Sequence, residues 1–80
     1  MTIYIVENHD TCELEAFEKL EQAAAYVRKY YIDHLKDLFS GYHNDVDRVL
    51  QLIKNDLENL EAEYPFIQDT MYTYEATLHN

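Results

Sequence analysis

Three groupings of histidine with carboxylate, thiol or hydroxyl groups are the residues of this sequence that could carry chemistry. The first comprises His9, Asp10 and Cys12, which lie within four residues and are of types that ligate transition metals. A structural zinc site needs about four ligands, and no second Cys/His pair stands at a matching spacing. We therefore expect a polar turn at this position, and no metal or other cofactor.

The other two groupings pair a histidine with a nearby aspartate. His34 and Asp37 are three residues apart, and His43 and Asp47 are four apart. Each pair could form the hydrogen bond that orients a general acid or base. Neither has a nucleophile beside it in sequence, and Ser40 precedes a glycine in a segment typical of a helix end. We therefore expect a protein that is not an enzyme.

A long amphipathic helix from Leu20 to Phe39 must position much of the chain. This stretch contains no Gly or Pro, and its apolar residues recur at steps of three and four, which is one face of an α-helix. Gly41 follows as a natural residue just past the helix end. The apolar stripe is formed by Leu20, Ala24, Val27, Tyr31, Leu35 and Leu38.

A second amphipathic helix is predicted from Asn44 to Ala62, with Asn44 as its N-cap. The short link between the two helices predicts an antiparallel helical hairpin. The apolar face of this helix is formed by Val46, Val49, Leu50, Ile53, Leu57 and Leu60.

Three segments have the alternation and the residue types of β-strands. Thr2–Glu7 and Met71–Leu78 are rich in β-branched and aromatic residues, and 8–11 is a cluster of turn formers. Cys12–Phe17 fits either a second strand or the first turns of the helix, and pairing with the first strand favours a strand. The sequence therefore predicts an α+β fold of order ββααβ. Its three-stranded antiparallel sheet carries the two-helix hairpin on one face and leaves the other face at least partly open.

Size and composition predict one domain over residues 1–80. The chain is 48% hydrophobic, with one Gly and one Pro, which favours a packed core over disorder. A single cysteine excludes an internal disulfide and predicts a cytoplasmic protein. The opening segment MTIYIVENHD lacks the basic and long apolar parts of a signal peptide. No apolar run is long enough to span a membrane.

The net charge is the most unusual property of the sequence. Sixteen acidic residues against six basic ones give −10, with an isoelectric point near 4.5. A protein that binds a phosphate backbone needs a basic face, so this balance argues against direct nucleic-acid binding. It favours instead a basic partner, such as a protein that itself handles nucleic acid.

The predicted contact surface combines carboxylates with tyrosines. Carboxylates at a helix C-terminus oppose the helix macrodipole, so the acidic end of the second helix suggests a contact role. A second acidic series, Glu13, Glu15, Glu18 and Glu21, is an alternative contact surface. Eight tyrosines supply rigid contact area with a polar tip. The predicted partner-binding residues are Asp56, Glu58, Glu61, Glu63, Tyr64, Tyr72 and Tyr74.

In size and charge the whole chain resembles small acidic inhibitors encoded by phages and mobile elements, including anti-CRISPR proteins and DNA mimics. The resemblance implies a non-enzymatic inhibitor that occludes the nucleic-acid site of a nuclease, a CRISPR effector or a DNA-binding regulator. Its carboxylates would take the place of phosphates. Two alternatives remain open at this point. One is an immunity protein or antitoxin for a basic toxin, and the other is a small structural module that dimerises through its open sheet face.

Overall fold

The computed structural model describes residues 1–77, and it confirms the predicted α+β fold of ββααβ-like order. Three antiparallel strands form one sheet in the order β2-β1-β3, so the N-terminal strand lies at the centre. The strands are β1 (Thr2–Asn8), β2 (Glu13–Phe17) and β3 (Met71–Thr77). The predicted last residue of the third strand, Leu78, lies outside the described residues.

The β1–β2 connection is a hairpin, so the choice of a strand for the second segment is confirmed. The side-chain oxygen of Asn8 accepts hydrogen bonds from the backbone N–H groups of Asp10 and Thr11 at 3.0 and 3.2 Å, which closes the turn. Cys12 has a φ of 59°, in the left-handed region. Because this conformation cannot continue an extended strand, β2 begins at Glu13 and not at Cys12.

The first helical segment is shorter than predicted, because it does not continue unbroken to Phe39. Helix α1 spans Leu20–Asp33, and a short helix α2 spans Leu35–Leu38. His34, between them, has a φ of −114° and a ψ of 21°. The break redirects the chain so that Phe39 reaches the core, where its side chain is 1% exposed. Burial of this aromatic side chain contributes more to the free energy of folding than one further uninterrupted helical turn would.

The link between the predicted helices is itself helical, so Gly41 is not a helix-ending residue. A 3₁₀ segment spans Ser40–Asp45, and no described glycine has a positive φ. The N–H of Tyr42 donates to the carbonyl of Phe39 at 2.9 Å. Asn44 lies inside this segment, and Asp45 takes the N-cap position predicted for it, without a side-chain cap.

The second predicted helix is also divided in two. Helix α3 spans Val46–Asn55 and helix α4 spans Leu57–Glu63. Asp56 separates them with a non-helical φ of −156° and ψ of 77°, and its carboxylate accepts a hydrogen bond from the N–H of Asn59 at 3.1 Å. The predicted single helix is therefore wrong at this point, since a side-chain cap starts a new helix. A second 3₁₀ segment, Pro65–Asp69, then leads into β3.

The core lies between α1, the sheet and the later helices. Helix α1 contacts β1 and β2 on one side and α3 on the other, and Pro65–Asp69 contacts β3. The residues of the predicted stripes are buried or half-buried, except for Leu20, which is 55% exposed; Ala23, and not Ala24, is the fully buried alanine. Within residues 1–77, no helix combines the length and the apolar character needed to cross a membrane. The buried apolar side chains are Val6, Ala23, Val27, Tyr31, Phe39, Val49, Ile53, Leu60, Tyr64, Ile67 and Met71.

Substitution of Val27 or Ile53 by Asp is expected to unfold the protein. Both side chains are buried, and an unpaired charge at either position costs more than the ~3–5 kcal/mol that a core of this size supplies. Leu20→Asp is the matched control, because this leucine is mostly exposed and begins α1. Circular dichroism melts should show a cooperative transition for Leu20→Asp only. A native-like melt for Val27→Asp or Ile53→Asp would contradict the described core.

Candidate interaction surfaces

The predicted acidic end of the second helix has a different geometry from the one expected. Because α4 begins at Leu57, Asp56 is its N-cap and Glu58 lies in its first turn. Carboxylates at these positions are close to the positive end of the α4 dipole, which they complement. The electrostatic conflict inferred from one long helix is therefore absent at Asp56 and Glu58.

The two later carboxylates of this series also have structural surroundings. Glu63 forms an ion pair with Arg48 of α3. Glu61 is partly buried, and burial followed by the charge of Glu58 raises the pKa of its carboxyl. Glu61 and Tyr31 both line a cleft of about 200 Å³ next to β3. Burial, with a smaller contribution from Glu61, raises the pKa of the Tyr31 hydroxyl. Glu58 is thus the freest of the four acids.

Tyr64 is part of the core and does not offer its ring to a partner. It is 6% exposed, and it packs edge-on against Phe39 and Tyr42 at centroid distances of 5.5 and 5.1 Å. Tyr42 in turn stacks on Phe66 at 5.6 Å, with the rings 7° from parallel. This aromatic cluster holds the first 3₁₀ segment against the second. The predicted contact residue Tyr64 therefore has a packing role.

Tyr72 and Tyr74 lie on the side of the sheet opposite the helices. They pair with Glu7 and Ile5 of β1, whereas the alternate β1 residues Val6 and Asn8 are buried. Side chains alternate between the two faces of a strand, so both tyrosines point away from α1. Their rings stack at 5.7 Å. The predicted tyrosines and acids therefore do not form one continuous surface, although Glu61 and Tyr72 both line the cleft next to β3.

The face that carries these tyrosines is nearly free of charge, and we call it the open sheet face. Within residues 1–77, the strand register gives it eight side chains, of which Glu7 is the only charged one. Leu14 is 66% exposed and Tyr72 is 56% exposed. Apart from the tyrosines, the sequence-based site prediction missed these residues, although apolar residues on both faces of β1 were a signal for them. The open sheet face consists of Ile3, Ile5, Glu7, Leu14, Ala16, Tyr72, Tyr74 and Ala76.

The histidine groupings that could have carried chemistry lie apart from one another, or their side chains make packing contacts and hydrogen bonds. The ring of His34 packs on that of Tyr30 at 4.3 Å, at the break between α1 and α2. Cys12 is exposed in the hairpin turn, and His43 lies in the first 3₁₀ segment. Among residues 1–77, no cluster of three or more His, Cys, Asp or Glu side chains has an arrangement that could hold a metal ion.

The hairpin turn is joined to the start of β3 through His9. Its Nδ1–H donates to the carbonyl of Asp69 at 2.8 Å, and its Nε2 lies 3.3 Å from the Glu7 carboxylate. Both neighbours are acceptors, so the doubly protonated ring satisfies both. The carbonyl hydrogen bond, and then the one to Glu7, raise the pKa of His9. On the other side of the turn, the Tyr30 hydroxyl donates to Asp10 at 3.0 Å.

Comparison of the chain with models of protein families, with curated proteins and with solved structures finds no match.

Asp56→Ala is expected to lower the free energy of unfolding by about 1 kcal/mol, because it removes the side-chain cap of α4. Asp56→Asn keeps an accepting oxygen at the same position and should remain within a few tenths of a kcal/mol of wild type. Urea unfolding of both variants measures the difference. If Asp56→Ala instead raised the free energy of unfolding, the carboxylate would be opposing the helix macrodipole. That result is the one expected if residues 44–62 formed a single uninterrupted helix.

His9→Gln is expected to reduce stability only at the acidic end of the physiological range. The folded state raises the pKa of His9, so protonation favours folding. This contribution is complete below the ordinary histidine pKa of about 6.5 and is lost as the pH rises through the folded-state value. Urea titrations between about pH 5 and about pH 8 should therefore show a wild-type advantage that shrinks with pH.

The matched control for this titration is His43→Gln. His43 is exposed and makes no side-chain hydrogen bond within the described residues. Its replacement controls for the loss of one exposed imidazole from the chain. A His9→Gln curve parallel to that of wild type would contradict the stabilising role of the hairpin-turn contacts.

Proposed function

We propose that this protein is a non-enzymatic acidic inhibitor that binds a basic, nucleic-acid-handling partner and occupies its nucleic-acid site. The partner class comprises nucleases, CRISPR effectors and DNA-binding regulators. Carboxylates take the place of phosphates, and the complex forms by charge complementarity. The net charge of −10 supports this assignment, since so large a field accelerates encounter with a basic surface.

The observation that carries the proposal is the lack of internal cations for most of the acids. Within residues 1–77, ion pairs join Lys29 to Asp33, Arg48 to Glu63 and His9 to Glu7. Thirteen of the sixteen acidic residues thus have no basic group within pairing distance in the described part of the chain. Their mutual repulsion destabilises the free protein and is relieved by a basic partner.

The acidic series at β2 and the start of α1 is freer than the series on α4. Glu13 and Glu15 lie on β2, Glu18 follows the strand, and Glu21 lies in the first turn of α1. We call these four residues the sheet-edge acids. All four are exposed, and none makes a side-chain hydrogen bond or an ion pair with another described residue. On α4, by contrast, Asp56 caps the helix and Glu63 pairs with Arg48. The sheet-edge acids are therefore the better phosphate surrogates.

A cytoplasmic location belongs to the same proposal. The single Cys12 is exposed in the hairpin turn, and an exposed thiol stays reduced in that compartment. Nucleic-acid enzymes of the proposed partner class act in the same compartment.

The proposal is tested by competition with DNA. Host proteins that bind heparin are passed over the immobilised chain, retained proteins are purified, and their binding to a fluorescent DNA duplex is measured by anisotropy. Addition of the chain is expected to release the DNA at near-stoichiometric concentration. Raised salt should weaken the complex, because exposed charges are screened beyond about 8 Å at physiological ionic strength.

Two variants that each remove four charges supply the matched control. One replaces the sheet-edge acids by Gln, and the other carries Asp56→Asn, Glu58→Gln, Glu61→Gln and Glu63→Gln. The first should lose the larger part of the inhibition, with both variants folded by circular dichroism. Equal losses would assign the attraction to net charge and contradict a localised phosphate-like surface. DNA binding that is unaffected by saturating chain would overturn the proposed function.

A further inference from the structure

We infer that the open sheet face docks one amphipathic α-helix of the partner, whose apolar stripe is flanked by Lys and Arg. This inference rests on the proposed function for the basic character of the partner. It adds the surface that is contacted and the element that contacts it.

The composition of the open sheet face is the first reason. Seven of its eight side chains are apolar or aromatic, in a chain whose net charge is −10. A contiguous apolar surface rimmed by polar residues is typical of a protein contact site. Leu14 and Tyr72, the large side chains of the face that are more than half exposed, lie on opposite edge strands and flank the β1 residue Glu7. They mark the two sides of the apolar area.

The dimensions of the face match one helix. Strands lie about 4.8 Å apart, so the two outer strands are separated by about 10 Å. This is the diameter of a single α-helix with its side chains, about 10–12 Å. A strand of seven residues extends about 23 Å, which corresponds to about 15 helical residues. One helix of four turns would cover the face.

The charge of the molecule favours a basic partner. The three strands contain four glutamates and no Lys or Arg. Glu7 lies on the open sheet face, whereas Glu13, Glu15 and Glu75 lie on the outer strands with their side chains directed to the helix side. Lys or Arg beside the apolar stripe of a docked helix would be attracted by the net charge of −10.

A second copy of the chain is a poorer occupant on electrostatic grounds. It brings the same four sheet glutamates and a further charge of −10. Like charges across an interface oppose association.

The test uses a synthetic helix as the probe. It is a 15-residue peptide with a leucine stripe at helical spacing and lysine elsewhere, labelled with a fluorophore. Anisotropy gives its affinity, and ¹⁵N–¹H NMR spectra of the full chain locate it. Shift changes are expected on the open sheet face, at Ile3, Ile5, Leu14, Tyr72 and Tyr74. A peptide of the same composition in scrambled order, and one with Glu in place of Lys, should each bind at least about tenfold more weakly.

Variants of the chain provide the second measurement. Leu14→Thr combined with Tyr72→Thr should weaken the peptide at least about tenfold, because both side chains lose their apolar contact. The matched control, Leu20→Gln with Ile32→Gln, removes two exposed apolar residues of α1 and should change affinity less than about twofold. If the double variant fails to melt cooperatively, the measurement is made with Leu14→Thr alone, because this substitution lies on an edge strand.

Several outcomes would overturn the inference. These are shift changes confined to the helix side, equal binding of the scrambled peptide, and a dimer in sedimentation equilibrium that the Leu14→Thr/Tyr72→Thr variant dissociates. Failure here is separable from failure of the proposed function. A retained partner that loses DNA to the chain but contacts another surface overturns only the helix site. A face that binds the peptide, in a chain that never displaces DNA, overturns only the inhibitor function.

Discussion

Packing of α1 between the sheet and α3 is the contact on which the rest of this structure depends. Ala23, Val27 and Tyr31 are buried along one side of α1, and Val6 of the central strand is fully buried. The small side chain of Ala23 permits close approach of neighbouring backbone. Arg28 extends the contact to α3, since its Nε donates to the carbonyl of Ile53 at 3.2 Å. Helix α1 packs on β1 and β2, and the second 3₁₀ segment packs on β3, so one sheet face is partly covered and the other is left open.

This arrangement separates the charge of the molecule from its apolar surface. Most carboxylates project from helices, turns and strand edges, whereas the open sheet face carries Glu7 alone. The self-repulsion of a chain with a charge of −10 favours partners of opposite sign. The apolar face supplies short-range contact area that charge by itself lacks. Both features support the proposed binding of a basic partner.

The residues inferred as a contact site are divided by the fold into two groups. Asp56 and Glu63 stabilise the helical layer through a cap and an ion pair, and Tyr64 fills the core. Tyr72 and Tyr74 remain on the surface, on the opposite side of the sheet. Residue type and spacing identified the acids and tyrosines as unusual. They did not distinguish a carboxylate that caps a helix from one that is free to meet a partner.

The sequence by itself determined the fold class, the strand pairing expected from a hairpin, and central core residues such as Val27 and Ile53. These depend on local periodicity, which is two for a strand and near 3.6 for a helix. Only the tertiary structure decided the breaks at His34 and Asp56. Each break is locally unfavourable, and each depends on a contact that the periodicity does not encode. Phe39, buried beside Tyr64, sets the first. The capping bond of Asp56 and the return of α4 along α3 set the second. The distinction between free and engaged carboxylates follows from those long-range contacts.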